Sequence, residues 1–127
     1  MQKILIVDNN TNARNGLSEI LIEEGYFVDL VPNAITALSL DYSTYNVLIT
    51  DQNLMDLTGL ELANKATTIN PNIQVIIITS FHIQDWQNNP DYIWLIKPLE
   101  VDLLLTALKD KLTPSFENSI AKEYDCR

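Results

Sequence analysis

A chain of 127 residues with 46% hydrophobic side chains is long enough to close one core, and 17 acidic against 8 basic residues give it a formal charge of −9. That charge would repel a phosphate backbone, so no direct nucleic-acid binding is expected, and any action on DNA must come through another chain. The first apolar run, Ile4 to Val7, stops at Asp8, far short of a signal-peptide core or membrane span, and the lone Cys126 can make neither an intrachain disulfide nor a Cys-based metal site, so a cytoplasmic protein without membrane association is expected.

In chain order, Lys3 to Val7 reads as a first strand, followed by helical spacing at Ala13, Leu17, Ile20 and Leu21 with Gly25 as a stop. Tyr26 to Leu30 is the second strand, and Pro32 and Asn33 open a second helix running to about Leu40. After a third strand at Asn46 to Thr50, Thr58 and Glu61 read as the N-cap and N3 residues of a capping box, opening a helix that turns Leu62, Ala63 and Ala66 inward. Ile73 to Ile78 and Tyr92 to Ile96 are the fourth and fifth strands, and Val101, Leu104, Leu105, Leu108 and Leu112 mark the last helix. Strands such as Ile4 to Val7 and Val75 to Ile78 are apolar without alternation, which predicts burial on both faces by crossover helices and hence a parallel, doubly wound α/β sheet. Thr113-Pro114 should stop the last helix, leaving one domain over residues 1–113 and a tail or linker stub over 114–127. In that tail Phe116, Ile120 and Tyr124 share one helical side, so a short docking or dimerising helix is the alternative to a frayed end.

Polar residues interrupt the apolar strands at their carboxyl ends: Asp8 and Asn9 after the first, Asp51 after the third, Thr79 after the fourth, Lys97 after the fifth. Open parallel sheets bind ligands along that edge, at the point where strand order reverses, and in the order 2-1-3-4-5 Asp8 and Asp51 meet there. Singly, each could cap a helix or turn the chain. Together they form a set with a chemistry. Two adjacent carboxylates repel unless a cation compensates, and hard oxygen ligands beside a carbonyl suit Mg²⁺. Lys97 adds a mobile point charge and Thr79 a hydroxyl donor. These are the parts of phosphoryl transfer, which needs in-line positioning and neutralisation of the equatorial oxygens.

The segments IVDNN, ITDQNLMDLTGLEL, IIITS and LIKP, in that order, resemble the four signature segments of response regulator receiver domains, over residues 3–112. The resemblance implies a flavodoxin-like, five-stranded parallel sheet of order 2-1-3-4-5 with helices on both faces. It implies Asp51 as phosphoacceptor, Asp8 as an acidic pocket residue, Asn53 as a metal contact through its backbone carbonyl, and Thr79 and Lys97 as the phosphate-contacting pair. Thr79 and Trp94 fall at the switch positions, and Gly59 at the family's glycine eight residues past the acceptor. A signalling domain rather than an enzyme follows, capable at most of Mg²⁺-dependent self-phosphorylation from a donor. Its implied partners are a histidine kinase or phosphotransfer protein and a downstream protein or output domain. The surface of the fourth helix, fifth strand and last helix is the candidate homodimer contact.

Departures from the family pattern accompany the likeness. Asn9 stands where a second acid ordinarily ligates the metal, which predicts weak or absent metal contact at that position and weak Mg²⁺ binding. Met55 replaces a proline four residues after the acceptor, so that loop loses a fixed φ and is expected to loosen. The stretch from Thr79 to Lys97 is shorter than usual, and Asn88-Asn89-Pro90-Asp91 reads as a turn, so a short or distorted fourth helix is expected. His82 is assigned no role, and Trp86 and Trp94 read as packing aromatics before switches. A phosphate-independent pseudo-receiver is the second functional reading. Haloacid-dehalogenase-type phosphatases want an acid where Asn53 stands, and Gly16, Gly25 and Gly59 make no phosphate-cradling loop for a flavin or nucleotide carrier.

Overall fold

Ile4, Leu5, Ile6 and Val7 are at most 1% exposed, as an unbroken apolar run requires when a strand is covered on both sides. They form the centre of β1 (Lys3–Val7), which is flanked by β2 (Phe27–Val31) and β3 (Val47–Asp51). With β4 (Gln74–Thr79) and β5 (Ile93–Ile96) these make a five-stranded sheet in the order β2-β1-β3-β4-β5. The computed structural model describes residues 2–80 and 91–111. The readings for a short fourth helix, for His82 and Trp86, and for the tail with Phe116, Ile120, Tyr124 and Cys126 lie outside them.

Two compact units divide the chain, Met1–Val75 and Ile76–Arg127. In the first, β1 pairs in parallel with β2 from Lys3↔Phe27 to Val7↔Val31, and with β3 from Ile4↔Val47 to Val7↔Thr50. Moving from β1 out to β2 and back past β1 to β3 reverses the direction of winding. Right-handed crossovers therefore place α1 (Thr11–Glu23) on one face and α2 (Ala34–Leu38) and α3 (Gly59–Ile69) on the other. Leu17 and Leu21 of α1, Ala34 and Ala37 of α2, and Leu62, Ala63 and Ala66 of α3 are buried. Ala13 is exposed, so the inward stripe of α1 begins one turn later than its spacing predicts.

The helix boundaries have local causes. Asn10 caps α1 by accepting from the Ala13 N–H, and Gly25, at φ 97°, supplies the left-handed turn that ends it. The capping box of α3 is present as predicted: the Thr58 hydroxyl accepts from the Glu61 N–H, and the Glu61 carboxylate accepts from the Thr58 N–H. α2 stops at Leu38, short of the expected Leu40, because Asp41 caps a separate 3₁₀ turn at Tyr42–Thr44.

In the second unit β4 and β5 pair in parallel from Ile76↔Ile93 to Thr79↔Ile96. Ile76, Ile77, Ile93 and Trp94 are at most 2% exposed, and α4 (Val101–Lys111) buries Leu104, Ala107 and Leu108. Among the described residues, no helix is long and apolar enough to cross a membrane.

Candidate functional site

Parallel pairing of β1 with β3 ends at Val7↔Thr50, so the next residues, Asp8 and Asp51, stand at neighbouring strand ends, about 4.8 Å being the usual strand spacing. Asp51 is the last residue of β3 rather than the first beyond it, and is only 5% exposed. Asp8 is half-buried. Its N–H donates to the Val31 carbonyl at 3.3 Å, its Oδ1 accepts from the Asn10 N–H at 2.9 Å, and its backbone carbonyl accepts from Arg14 Nη1 at 2.6 Å. Asn9 is exposed, on the rim of a depression of about 450 Å³ shared with Ile35, Met55 and Asp56.

Past Asp51 the chain turns at once into α3. The Gly59 N–H donates to the Gln52 carbonyl at 2.9 Å, and the Gln52 side-chain oxygen accepts from the Leu60 N–H at 2.9 Å. Gly59 is required by this turn: a Cβ there would collide with the Asp51 carbonyl oxygen and meet the Gln52 Cα at 3.0 Å. Asn53 stands opposite Thr58 as an antiparallel pair, and the Gly59–Gln52 bond flanks that pair without engaging Asn53.

The loop carrying Met55 is tied down, contrary to the loosening expected from the missing proline. Asp56 accepts from the N–H groups of Ile35 at 2.8 Å, Leu57 at 2.9 Å and Ala34 at 3.2 Å, so a carboxylate on the acceptor loop caps the first turn of α2. These bonds, the one from Ile35 foremost, hold the Asp56 carboxyl below its ordinary pKa. Met55 itself is 90% exposed.

In the second unit Thr79 is the last residue of β4, 1% exposed, and its carbonyl accepts from the Lys97 N–H at 2.8 Å. Lys97 follows β5 directly and is exposed, and the Lys97–Pro98 peptide is cis. Trp94 is fully buried within β5, opposite Ile77. The sequence-predicted residues are thus grouped as Asp8 with Asp51 in the first unit and Thr79 with Lys97 in the second.

This pattern has a counterpart among known proteins: the response regulator receiver domain family matches residues 4–109. The chain belongs to that family. Receiver CpdR of Brucella abortus is 32% identical to it over 82 residues, covering 64% of this chain and 68% of that protein. The sporulation initiation phosphotransferase F of Bacillus subtilis is 28% identical over 116 residues, covering 87% and 94%. Response regulator TrrA of Thermotoga maritima, solved in complex with Mg²⁺–BeF, superposes with a TM-score of 0.79 at 30% identity, covering 88% of this receiver and all of TrrA. The same protein has been solved with histidine kinase ThkA, at a TM-score of 0.78 and 29% identity.

The donor set of this receiver fits Mg²⁺. Asp8 and Asp51 supply two hard carboxylates at neighbouring strand ends, which suit an ion keeping several waters, and among the described residues no group of three His, Cys, Asp or Glu side chains is placed to hold a metal. Three contributors escaped the sequence reading. Gln52 and Asp56 act through backbone groups, and those of Asp56 on α2 lie 21 and 22 residues away, where no local spacing reports them. Arg14 did leave a signal, as the only basic residue between Lys3 and Lys65.

Proposed function

We propose that this receiver takes a phosphoryl group onto Asp51 from a histidine kinase or phosphotransfer protein and so changes a surface read by a downstream protein or output domain. The observation that carries the assignment is the placing of Asp51, a buried carboxylate at the end of β3, one register step beyond the Val7↔Thr50 pair and beside Asp8. In the transfer a carboxylate oxygen of Asp51 forms the new O–P bond as the donor's N–P bond breaks, and the electron pair leaves with the imidazole. Asp8, Asp51 and the Asn53 backbone carbonyl would hold Mg²⁺, with Asn9 contributing weakly or not at all. When bound, the ion supplies neutralisation of the transferring oxygens. The Lys97 ammonium and the Thr79 hydroxyl are assigned to the phosphoryl oxygens, as cation and hydrogen-bond donor.

Thr79 and Trp94 are assigned to the switch, and residues 1–113 to the receiver, with 114–127 as a tail or linker. The protein is assigned to the cytoplasm, where its kinase partner would present the phosphoryl group, and homodimerisation through the surface expected of the fourth helix, fifth strand and last helix belongs to the same reading. A phosphotransferase and a regulator captured with its histidine kinase stand among the relatives, which favours transfer over a phosphate-independent module. The test is incubation with acetyl phosphate or phosphoramidate and Mg²⁺, followed by intact mass. A single phosphoryl adduct is expected, absent from Asp51→Asn. Absence of any adduct in the unmutated protein would overturn the reading.

A further inference from the structure

The end of β1 is fastened at every backbone polar group of Asp8, and one of those fastenings comes from a side chain on another element. The Asp8 N–H is held by the Val31 carbonyl at 3.3 Å, and its Oδ1 is held by the Asn10 N–H at 2.9 Å. Asn10 in turn caps α1, its side chain accepting from Ala13 N–H and its carbonyl from Arg14 N–H, each at 3.0 Å. The Arg14 guanidinium then reaches back from this first turn to the Asp8 carbonyl, at 2.6 Å and partly buried, a short charge-assisted bond. Asn9, between the two fastened residues, has its side chain exposed.

We infer that Arg14 is a positioning residue for the phosphoryl-transfer pocket, locking the peptide of Asp8 so that its carboxylate is presented to a divalent cation. The inference rests on the phosphoacceptor reading and adds to it a residue that neither the signature segments nor the donor set contains. With an amide at position 9, the acidic contribution of the β1–α1 loop falls to Asp8 alone, so its orientation carries the metal affinity that two acids would share. Residues that orient a ligand without touching the ion commonly change metal affinity by about 10- to 100-fold. Arg14 also brings a positive charge, which acts in the opposite direction by repelling Mg²⁺. That repulsion is screened, because the guanidinium is partly exposed and already engaged with the carbonyl. The two roles therefore predict opposite signs, and positioning is the larger.

Calorimetric Mg²⁺ titration of the unmutated protein, Arg14→Met and Arg14→Lys decides this, with apo melting temperatures measured alongside. Arg14→Met keeps the aliphatic stem and loses the donors, and is expected to bind Mg²⁺ about tenfold more weakly. Arg14→Lys keeps a charged donor and is expected to recover to within about threefold of the unmutated affinity. A change confined to helix stability would lower the apo melting temperature and leave Mg²⁺ affinity alone. Unchanged or tighter Mg²⁺ binding by Arg14→Met overturns the inference while leaving the phosphoacceptor reading standing. Equal weakening in the Met and Lys variants overturns it too, since a donor would then not suffice. If the unmutated protein neither binds Mg²⁺ nor forms a phosphoryl adduct, the phosphoacceptor reading fails and takes this inference with it.

Discussion

Asn9, proposed above as a weak or absent metal contact, is exposed on the rim of the depression it shares with Met55 and Asp56, which leaves room for a carboxylate in its place. An aspartate there adds a full negative charge near the cation and, without the cation, adds repulsion to Asp8 and Asp51. Asn9→Asp should therefore tighten Mg²⁺ by about 1–3 kcal/mol, roughly tenfold per 1.4 kcal/mol, and lower the melting temperature of the metal-free protein. Both signs are needed: a titration showing no tightening would mean that position 9 does not face the ion. Gly59 is constrained by packing instead. Because any Cβ would strike the carbonyl of the acceptor residue itself, Gly59→Ala should destabilise the fold by about 1–3 kcal/mol. It should also slow phosphorylation by acetyl phosphate, since the relief available is a shift of Asp51. Equal rates at equal folded fraction would separate the glycine from the chemistry.

Between elements, the recurring device is a polar side chain that satisfies the end of a neighbour. Asp56 does this for α2, and because its folded pKa lies below the ordinary 3.8, its contribution is complete above that value and is lost as pH falls through the folded one. Asp56→Ala should speed amide exchange at Ala34 and Ile35 at neutral pH, with Thr36, held by Asn33 at 2.8 Å, affected less. Away from the pocket, the Tyr45 hydroxyl donates to Asp29 at 2.6 Å, whereas the Tyr42 hydroxyl is buried without a hydrogen-bond partner among the described residues. Tyr45→Phe should thus cost about 1 kcal/mol and Tyr42→Phe close to nothing, or stabilise. Burial pushes Tyr42 up to about 12, so stability is full below pH 10 and falls as pH rises from 10 towards 12. Tyr42→Phe should flatten that alkaline loss in chemical denaturation. The sequence carried what is local: the unbroken run of β1, the Thr58–Glu61 box and the stop at Gly25. It missed the Asp56 clamp, whose partners are far along the chain, and it placed Asp51 and Thr79 one step beyond strands that they in fact terminate.

Asp51 lies in the unit Met1–Val75, and the residues proposed for the switch lie in the unit Ile76–Arg127. The candidates for the reading are Thr79, which ends β4, and Trp94 and Lys97 on and after β5. Trp94 is fully buried, so any switching at this position starts from the inward state, and a bulky indole can leave it only by disturbing Ile77 and the strand around it. A response in this unit should therefore be a change in the stability of β5 and its flanks rather than the turning of one exposed ring. The net charge of −9 bears on the surface itself, which would repel a phosphate backbone. Amide exchange with and without beryllofluoride and Mg²⁺ tests the route. Protection should rise in the loop after Asp51 and also change across residues 81–105, with the second effect abolished in Thr79→Ala while the first survives. Protection confined to the Asp51 loop, with residues 81–105 unchanged, would place the readout in the first unit, where Asp56 already joins the acceptor loop to α2.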